Sequence, residues 1–332
     1  MKIISVLRTT PGLDEFPLFK YLSTFEFDYM NFDDRIYVNH EVFGFYQRLN
    51  RAMLRSSSTV GFNKLLQQYI LTMKPHIFLY FKAASINYNT IAMANKLGCE
   101  TIGIYPDLDP SVHGSEYLKA IKYTKKFYHT KPNHADYYNS LNVNSRILGP
   151  IYDEGLASSI QEPDLQLGVT FVGHHSAGKQ KFLSELSSKY SGTITIFGER
   201  WQKDMFKRAT ANVVVHPSIY GVAVQEVYRR SLCVLGLLQE RISKNVGGDE
   251  ITARTIQVPI YGGLLLHPKT KQADRVFSYV PEILYDSVQD LLEMIYQLQR
   301  SPQMRLDLFS KQTSCASCHG TGAKRFIQGL TH

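Results

Sequence analysis

The sequence predicts an α/β protein made of two doubly wound halves in series. Three observations lead there. Short apolar runs rich in β-branched and aromatic residues alternate with longer stretches of helical periodicity. The alternation breaks once, around residues 152–166, and then restarts. The 332 residues also exceed the usual span of a single core, so two domains of about 150 residues each are expected.

In the first half, Ile3–Leu7, Ile77–Phe81, Thr101–Tyr105, Lys126–Thr130 and Arg146–Leu148 read as buried parallel strands. Phe62–Met73 and Tyr88–Leu97 carry apolar residues at helical spacing, Gly98 stops the second of them, and Asn133–Leu141 reads as another short helix. Tyr152–Gln166 has no sustained period and holds Gly155, Ser158, Ser159 and Pro163, which makes it the linker. The second half runs through strands at Gly168–Val172, Thr193–Phe197, Val213–His216, Leu232–Leu237, Gly263–His267 and Ile283–Tyr285. Helices are expected at Lys179–Tyr190, Val222–Arg230, Glu250–Val258 and Val288–Gln299. The resulting division is a first domain over 1–152, a linker over 153–166, a second domain over 167–312, and a C-terminal segment over 313–332 that packs back toward the first domain.

Composition excludes several classes. Apolar residues make up 44% of the chain, enough for packed cores, and no apolar run approaches the ~20 residues that span a bilayer. The opening MKIISVLRTT is too short for a signal-peptide core and reads as a first strand, so a cytoplasmic protein is expected. Four cysteines in this length are no disulfide framework. Cys315-Ala-Ser-Cys318-His319 has the spacing of a c-type haem attachment site, but no export signal precedes it and few residues follow to build a haem pocket. No haem is expected, and no obligatory metal; a redox pair or a zinc half-site is the lesser alternative for this motif. The net charge of +8 leans toward the first half, with a cluster at Lys119, Lys122, Lys125, Lys126 and Lys131. A solvated helix face accounts for it, and an anionic acceptor or membrane surface is the functional alternative.

Ligands of open α/β sheets bind beyond the carboxyl ends of the strands. Three turns of the second half carry suggestive residues there. In the first, Gly173 and His174 follow a strand and Lys179 opens a helix, an arrangement that offers backbone N–H groups and positive charge to a phosphate. In the second, Phe197 and Gly198 leave room for a flat base edge, and Trp201, the single tryptophan, is either part of that site or a buried anchor. The third runs from Gly247-Gly248-Asp249 through Thr252, Arg254, Thr255 and Gln257 to Gly262-Gly263. An arginine there suits a diphosphate and a carboxamide suits ribose hydroxyls.

The segment Arg254-Thr-Ile-Gln-Val-Pro-Ile-Tyr-Gly-Gly-Leu-Leu-Leu resembles the signature of the CgeB-like, spore-maturation type of glycosyltransferase, related to the group 1 glycosyltransferases. Thr170-Phe-Val-Gly and Ile194-Thr-Ile-Phe-Gly resemble that family's first two donor-domain turns, and Tyr228 to Leu235 the helix and strand before the signature. Gly103-Ile-Tyr-Pro-Asp107-Leu-Asp109-Pro110 is similar to its aromatic–acidic–proline turn, and His319 and Arg325 to residues near its C-terminal helix. The resemblance implies a GT-B fold of two facing Rossmann-like domains with the active site in the cleft. It also implies a nucleotide-sugar donor and metal-independent transfer with retention. Donor contacts would then come from Gly173, His174, Lys179, Phe197, Gly198, Asp249, Thr252, Arg254, Thr255 and Gln257, with Arg254 also catalytic. Asp107 and Asp109 would orient or deprotonate the acceptor, whose nature (glycan, protein, small molecule or modified nucleic acid) stays open.

This chain departs from the pattern in two places. Related enzymes carry two glutamates where Asp249 and Gln257 stand, and the Ala-Cys before the glycine pair is Ile260-Tyr261. A neutral Gln257 leaves open a non-catalytic protein that keeps the nucleotide fold. The basic first half leaves open a transferase acting on modified bases of nucleic acid.

Overall fold

The computed structural model describes residues 1–38, 45–158, 166–209, 212–238 and 247–330. The chain divides into two compact units. Among the described residues the first holds 1–149, Gly247 and 323–330, and the second holds the rest of 150–322.

The first unit runs β1 (Lys2–Val6), α1 (Phe16–Thr24), β2 (Asp28–Phe32), α2 (Asp34–Val38), α3 (Phe45–Met73), β3 (Ile77–Phe81), α4 (Tyr88–Lys96), β4 (Glu100–Tyr105), α5 (Ser115–Tyr123), β5 (Lys126–His129), α6 (Ala135–Ser140) and β6 (Ser145–Ile147). Its sheet is parallel in every pairing, with order β2-β1-β3-β4-β5-β6. Strand β3 is buried along its whole length, as a central strand covered on both faces must be. The sequence pattern does not mark strand β2. It is an edge strand whose first four residues are not buried, and its Asn31 side chain bonds the Leu7 backbone in both directions.

The second unit runs β7 (Ile151–Tyr152), β8 (Leu167–Val172), α7 (Ala177–Lys189), β9 (Ile194–Phe197), β10 (Val213–His216), α8 (Val222–Arg230), β11 (Ser231–Leu235), α9 (Ala253–Ile260), β12 (Leu265–Pro268), α10 (Lys271–Val276), β13 (Leu284–Tyr285), α11 (Val288–Arg300), α12 (Pro302–His319) and β14 (Thr321–Gly322). Its main sheet is again parallel, in the order β10-β9-β8-β11-β12-β13. Counted from β8 this is 3-2-1-4-5-6, whose direction reverses between β8 and β11. The last helix, α13 (Ala323–Gly329), belongs to the first unit, where Phe326 meets Tyr128 edge-on at 5.9 Å. The chain leaves the second unit after Gly322 rather than near 313, because α12 continues unbroken to His319.

Of the stretch read as a linker, residues 159–165 lie outside the described part. The residues before them are tied down. Asp153 accepts from Gly155 N–H (2.9 Å), Ser158 N–H donates to Ile260 O (3.0 Å), and Gln225 Nε2 donates to Leu156 O (2.9 Å). The expected helix at Glu250–Val258 begins only at Ala253. Thr252 N–H donates to Thr255 Oγ1 (2.9 Å), which fixes Thr252 as the residue before the first turn. Past the other end of α9, Gly262 takes φ +95°, the left-handed geometry that ends a helix and favours glycine.

Both units bury histidines. His129, His134 and His267 are at most 1% exposed, and burial lowers the pKa of each to about 4. The folded chain therefore binds fewer protons than the unfolded chain between pH 6.5 and 4, and stability falls as pH drops through that window. Glu15 works the other way. Burial raises its carboxyl to about 7, so its contribution is lost as pH rises from 4.5 through 7. Three histidines outweigh one glutamate, so urea unfolding midpoints should be lower at pH 4.5 than at pH 7. A midpoint that rises on acidification would contradict the neutral, buried histidines.

Candidate active site

The direction reversal between β8 and β11 opens a crevice at their carboxyl ends, and the sequence has filled its rim with backbone. Gly173, just past β8, donates its N–H to Phe197 O (2.8 Å). Its carbonyl accepts from Trp201 Nε1 (2.8 Å). Gly198 lies so close that a Cβ there would stand 2.0 Å from Gly173 O. The absence of a side chain at Gly198 therefore permits the close approach of two turns. Trp201 is a buried anchor, 7% exposed, stacked on Phe206 and edge-on to Phe171. Phe197 is buried and stacks on His216 with ring centroids 4.7 Å apart.

Two cations converge on the ring of Phe171, the residue before the last of β8. Lys179 Nζ stands 5.9 Å and Arg254 Cζ 5.6 Å from its centroid. Lys179 is buried in the first turn of α7, whose cap Ser176 accepts from Lys179 N–H (3.4 Å). Its ammonium also reaches His174 O (3.5 Å). Arg254 leaves the first turn of α9 and crosses the crevice. Its Nη1 would lie 3.1 Å from a Cβ on Gly173, and Nη2 donates to Leu237 O (3.2 Å), just beyond β11. Among the described residues this uses one of the five N–H bonds of the guanidinium, and Nε is buried with no hydrogen-bond partner there.

The other expected residues fall into distinct places. The His174 imidazole is mostly exposed, 3.6 Å from Glu199 across the two turns. Asp249 precedes α9 in irregular chain, so it does not share a helix face with Arg254. Thr255 is fully buried and faces the interior. His267 Nδ1 lies 2.7 Å from Pro268 O, an acceptor only, so Nδ1 carries the hydrogen. In the neutral ring Nε2 then accepts from the Thr255 hydroxyl (3.1 Å). Thr255 holds the Thr252 loop onto β12 and has no hydrogen left for a ligand. Gln257 donates from Nε2 to Ile151 O (3.0 Å), a contact the charged glutamate of the resembling family cannot make.

The first unit carries Asp107 and Asp109 at the end of β4. Asp109 is buried, accepts from Ser111 N–H (2.9 Å) and Tyr137 OH (3.0 Å), and caps the turn at Pro110–His113. That is a turn-holding role and not an exposed base. Asp107 is half exposed and ion-paired with Lys82, which follows β3 in the left-handed region at φ +58°. Sequence reasoning missed the group at the exits of β1 and β2. Arg8 Nε meets Asp34 (3.3 Å) and Glu15 (3.8 Å), and Asp34 accepts from Ser85 Oγ (3.0 Å). The available signal was position, since Arg8 and Lys82 each fall just past an apolar run that ends a strand.

The second cysteine of the haem-like motif, Cys318, is exposed, whereas Cys315 is buried on α12; both thiols are free. Among the described residues no group of three or more His, Cys, Asp or Glu could hold a metal ion, and no helix is long and apolar enough to cross a membrane.

Residues 176–326 match the family described as glycosyl transferase-like. No curated protein matches the chain. Among solved structures it is similar to a glycosyltransferase involved in avilamycin A biosynthesis, at TM-score 0.60 and 10% identity over 100% of this chain and 96% of that one. It is equally similar to the UDP-GlcNAc 2-epimerase of Neisseria meningitidis bound to UDP-GlcNAc, at TM-score 0.60 and 12% identity over 100% of both chains. A DNA-modifying β-glucosyltransferase matches at TM-score 0.57 and 12% identity, over 96% of this chain and 94% of that one. Identities this low speak to fold alone, and the fold is GT-B, with two Rossmann-like units.

The Gln257 contact generates a prediction. Gln257→Glu places a carboxylate oxygen against the Ile151 carbonyl, two acceptors with no hydrogen between them. Unfolding free energy should fall by about 1–3 kcal/mol, read from urea midpoints at pH 7.5, whereas Gln257→Lys should recover part of the loss. With the crevice in place, the matched family and the GT-B fold together support a glycosyltransferase.

Proposed function

We propose that the chain transfers a sugar from a nucleotide-sugar donor, held by the second unit, to an acceptor not yet identified. One observation carries the reading. Arg254 bridges the exits of β8 and β11 with, among the described residues, one N–H bond used, Nε buried without a partner, and a second cation beside the same ring. Both cations face the same ring, so positive charge is concentrated at the strand exit. A diphosphate would meet that charge and use the free fork of the guanidinium.

The chemistry then follows from charge. As the sugar–phosphate bond breaks, negative charge builds on the departing diphosphate. Arg254 and Lys179, fixed before the reaction, stabilise that charge without reorganising. The N-terminal end of α7, which begins four residues after Gly173, adds its backbone dipole. In this reading Gln257 holds α9 in place instead of gripping ribose, and Asp249, ahead of α9, is the remaining carboxylate for a ribose hydroxyl. Asp107, half exposed at a strand end of the first unit, is the acceptor-side carboxylate favoured over Asp109. The Arg254–Leu266 motif favours the CgeB-like branch, with retention of configuration. Because two protein cations already supply the positive charge that the departing diphosphate needs, we read the transfer as metal-independent, and Cys315 as a core residue rather than a haem thioether.

Two measurements test this. Release of nucleoside diphosphate from a panel of nucleotide sugars should be seen with the parent chain, and Arg254→Ala should lower kcat about ten- to a hundredfold, the worth of one charge-assisted contact. Arg254→Lys should recover only part. An Arg254→Ala chain that is folded and turns over normally would remove the donor site from this crevice. Separately, turnover should survive excess chelator, and loss of turnover restored by a divalent ion would overturn the metal-free reading.

A further inference from the structure

The second sheet has another charged feature at its opposite end, beside the amino-terminal ends of β8 and β11. Arg305 leaves the first turn of α12 and is 4% exposed. Its Nε donates to Leu232 O and its Nη2 to Ser231 O, both at 3.1 Å. Those are main-chain carbonyls, and among the described residues no carboxylate pairs with this guanidinium. Among the described residues, the titratable group that acts on it is the buried Cys233 thiol, which burial pushes up to about 12, so it supplies no counter-charge. Leaving a buried cation without an anion is costly.

Arg305 also lines a cavity of about 350 Å³. Leu167, Leu232, Leu298 and Pro302 form its apolar wall, and Gln299 stands at its side. Three N–H bonds of the guanidinium are not used by the two main-chain carbonyls. The volume falls in the range of small-molecule sites, and an apolar wall with one convergent charge is their usual chemistry.

We propose that this cavity binds a small organic anion, with its carboxylate or phosphate on Arg305 and its apolar body against the leucines. The site is independent of the donor reading, because it lies at the other end of the same strands. A ligand there leaves the crevice at Gly173 open and would not compete with the donor.

The test uses the full chain and four probes at millimolar concentration and matched ionic strength: benzoate, phenyl phosphate, inorganic phosphate and neutral benzyl alcohol. Benzoate or phenyl phosphate should raise the thermal midpoint by about 2–4 °C, and benzyl alcohol should not. A shift with phenyl phosphate alone assigns a phosphate ester, and one with benzoate alone assigns a carboxylate. Arg305→Met should abolish the shift. Since that change also removes two main-chain bonds, Leu167→Trp, which fills the cavity from a half-buried position and spares Arg305, is the second variant. Circular dichroism establishes that each is folded. In the parent chain, the Nε–H resonance of Arg305 should move on titration with the binding probe. No shift with either organic anion, an equal shift with inorganic phosphate or benzyl alcohol, or a shift that survives Leu167→Trp would overturn the proposal.

Discussion

The crevice of the second unit depends on one residue, Gly173. Its N–H donates to Phe197 O, its carbonyl accepts from the Trp201 indole, and Gly198 packs on that same carbonyl with no room for a Cβ. Fixing one residue in this way joins the exit of β8 to the exit of β9 and sets the floor on which Phe171 lies. Both cations of the crevice gather at that ring. Change the Gly173–Gly198 approach and Arg254 loses its reference, because its Nη1 packs against the same glycine.

Among the described residues, no carboxylate pairs with Arg254. His267, close enough for Arg254 to help depress its pKa, stays neutral mainly through burial and serves as an acceptor for Thr255. The Leu237 carbonyl takes one N–H and orients the fork, but brings no formal charge. An aromatic face and a carbonyl hold the guanidinium, and the imidazole near it is neutral. Holding charge this way costs stability, and folded proteins concentrate such costs at the sites where they bind or react.

The sequence made the strand framework legible where strands are central. β3, β8, β9 and β11 are apolar runs bounded by polar or glycine residues, and each falls where the pattern put it, to within a residue or two. Edge strand β2 was invisible because its pairing draws on Asn31 rather than on a buried stripe. Helix α9 starts later than its periodicity suggests because a reciprocal arrangement of Thr252 and Thr255 sets its beginning, and apolar spacing does not register such bonds. At the crevice, Arg254 and Lys179 were legible as cations following strands. The roles of Gly198, Thr255 and Gln257 were not, since each depends on a partner remote in sequence: Gly173 O, His267, and Ile151, the last 106 residues away.

Strand β14 pairs in parallel with β7, Thr321 beside Ile151 and Gly322 beside Tyr152, with Thr321 N–H bonded to Pro150 O (3.0 Å). The first and last residues of the second unit are thus neighbours, fastened to each other by backbone. In the language of modular assembly, the unit has a closed neck: the chain enters and leaves it through one short piece of paired backbone, so its own ends stay in register whatever precedes Pro150 or follows Gly322.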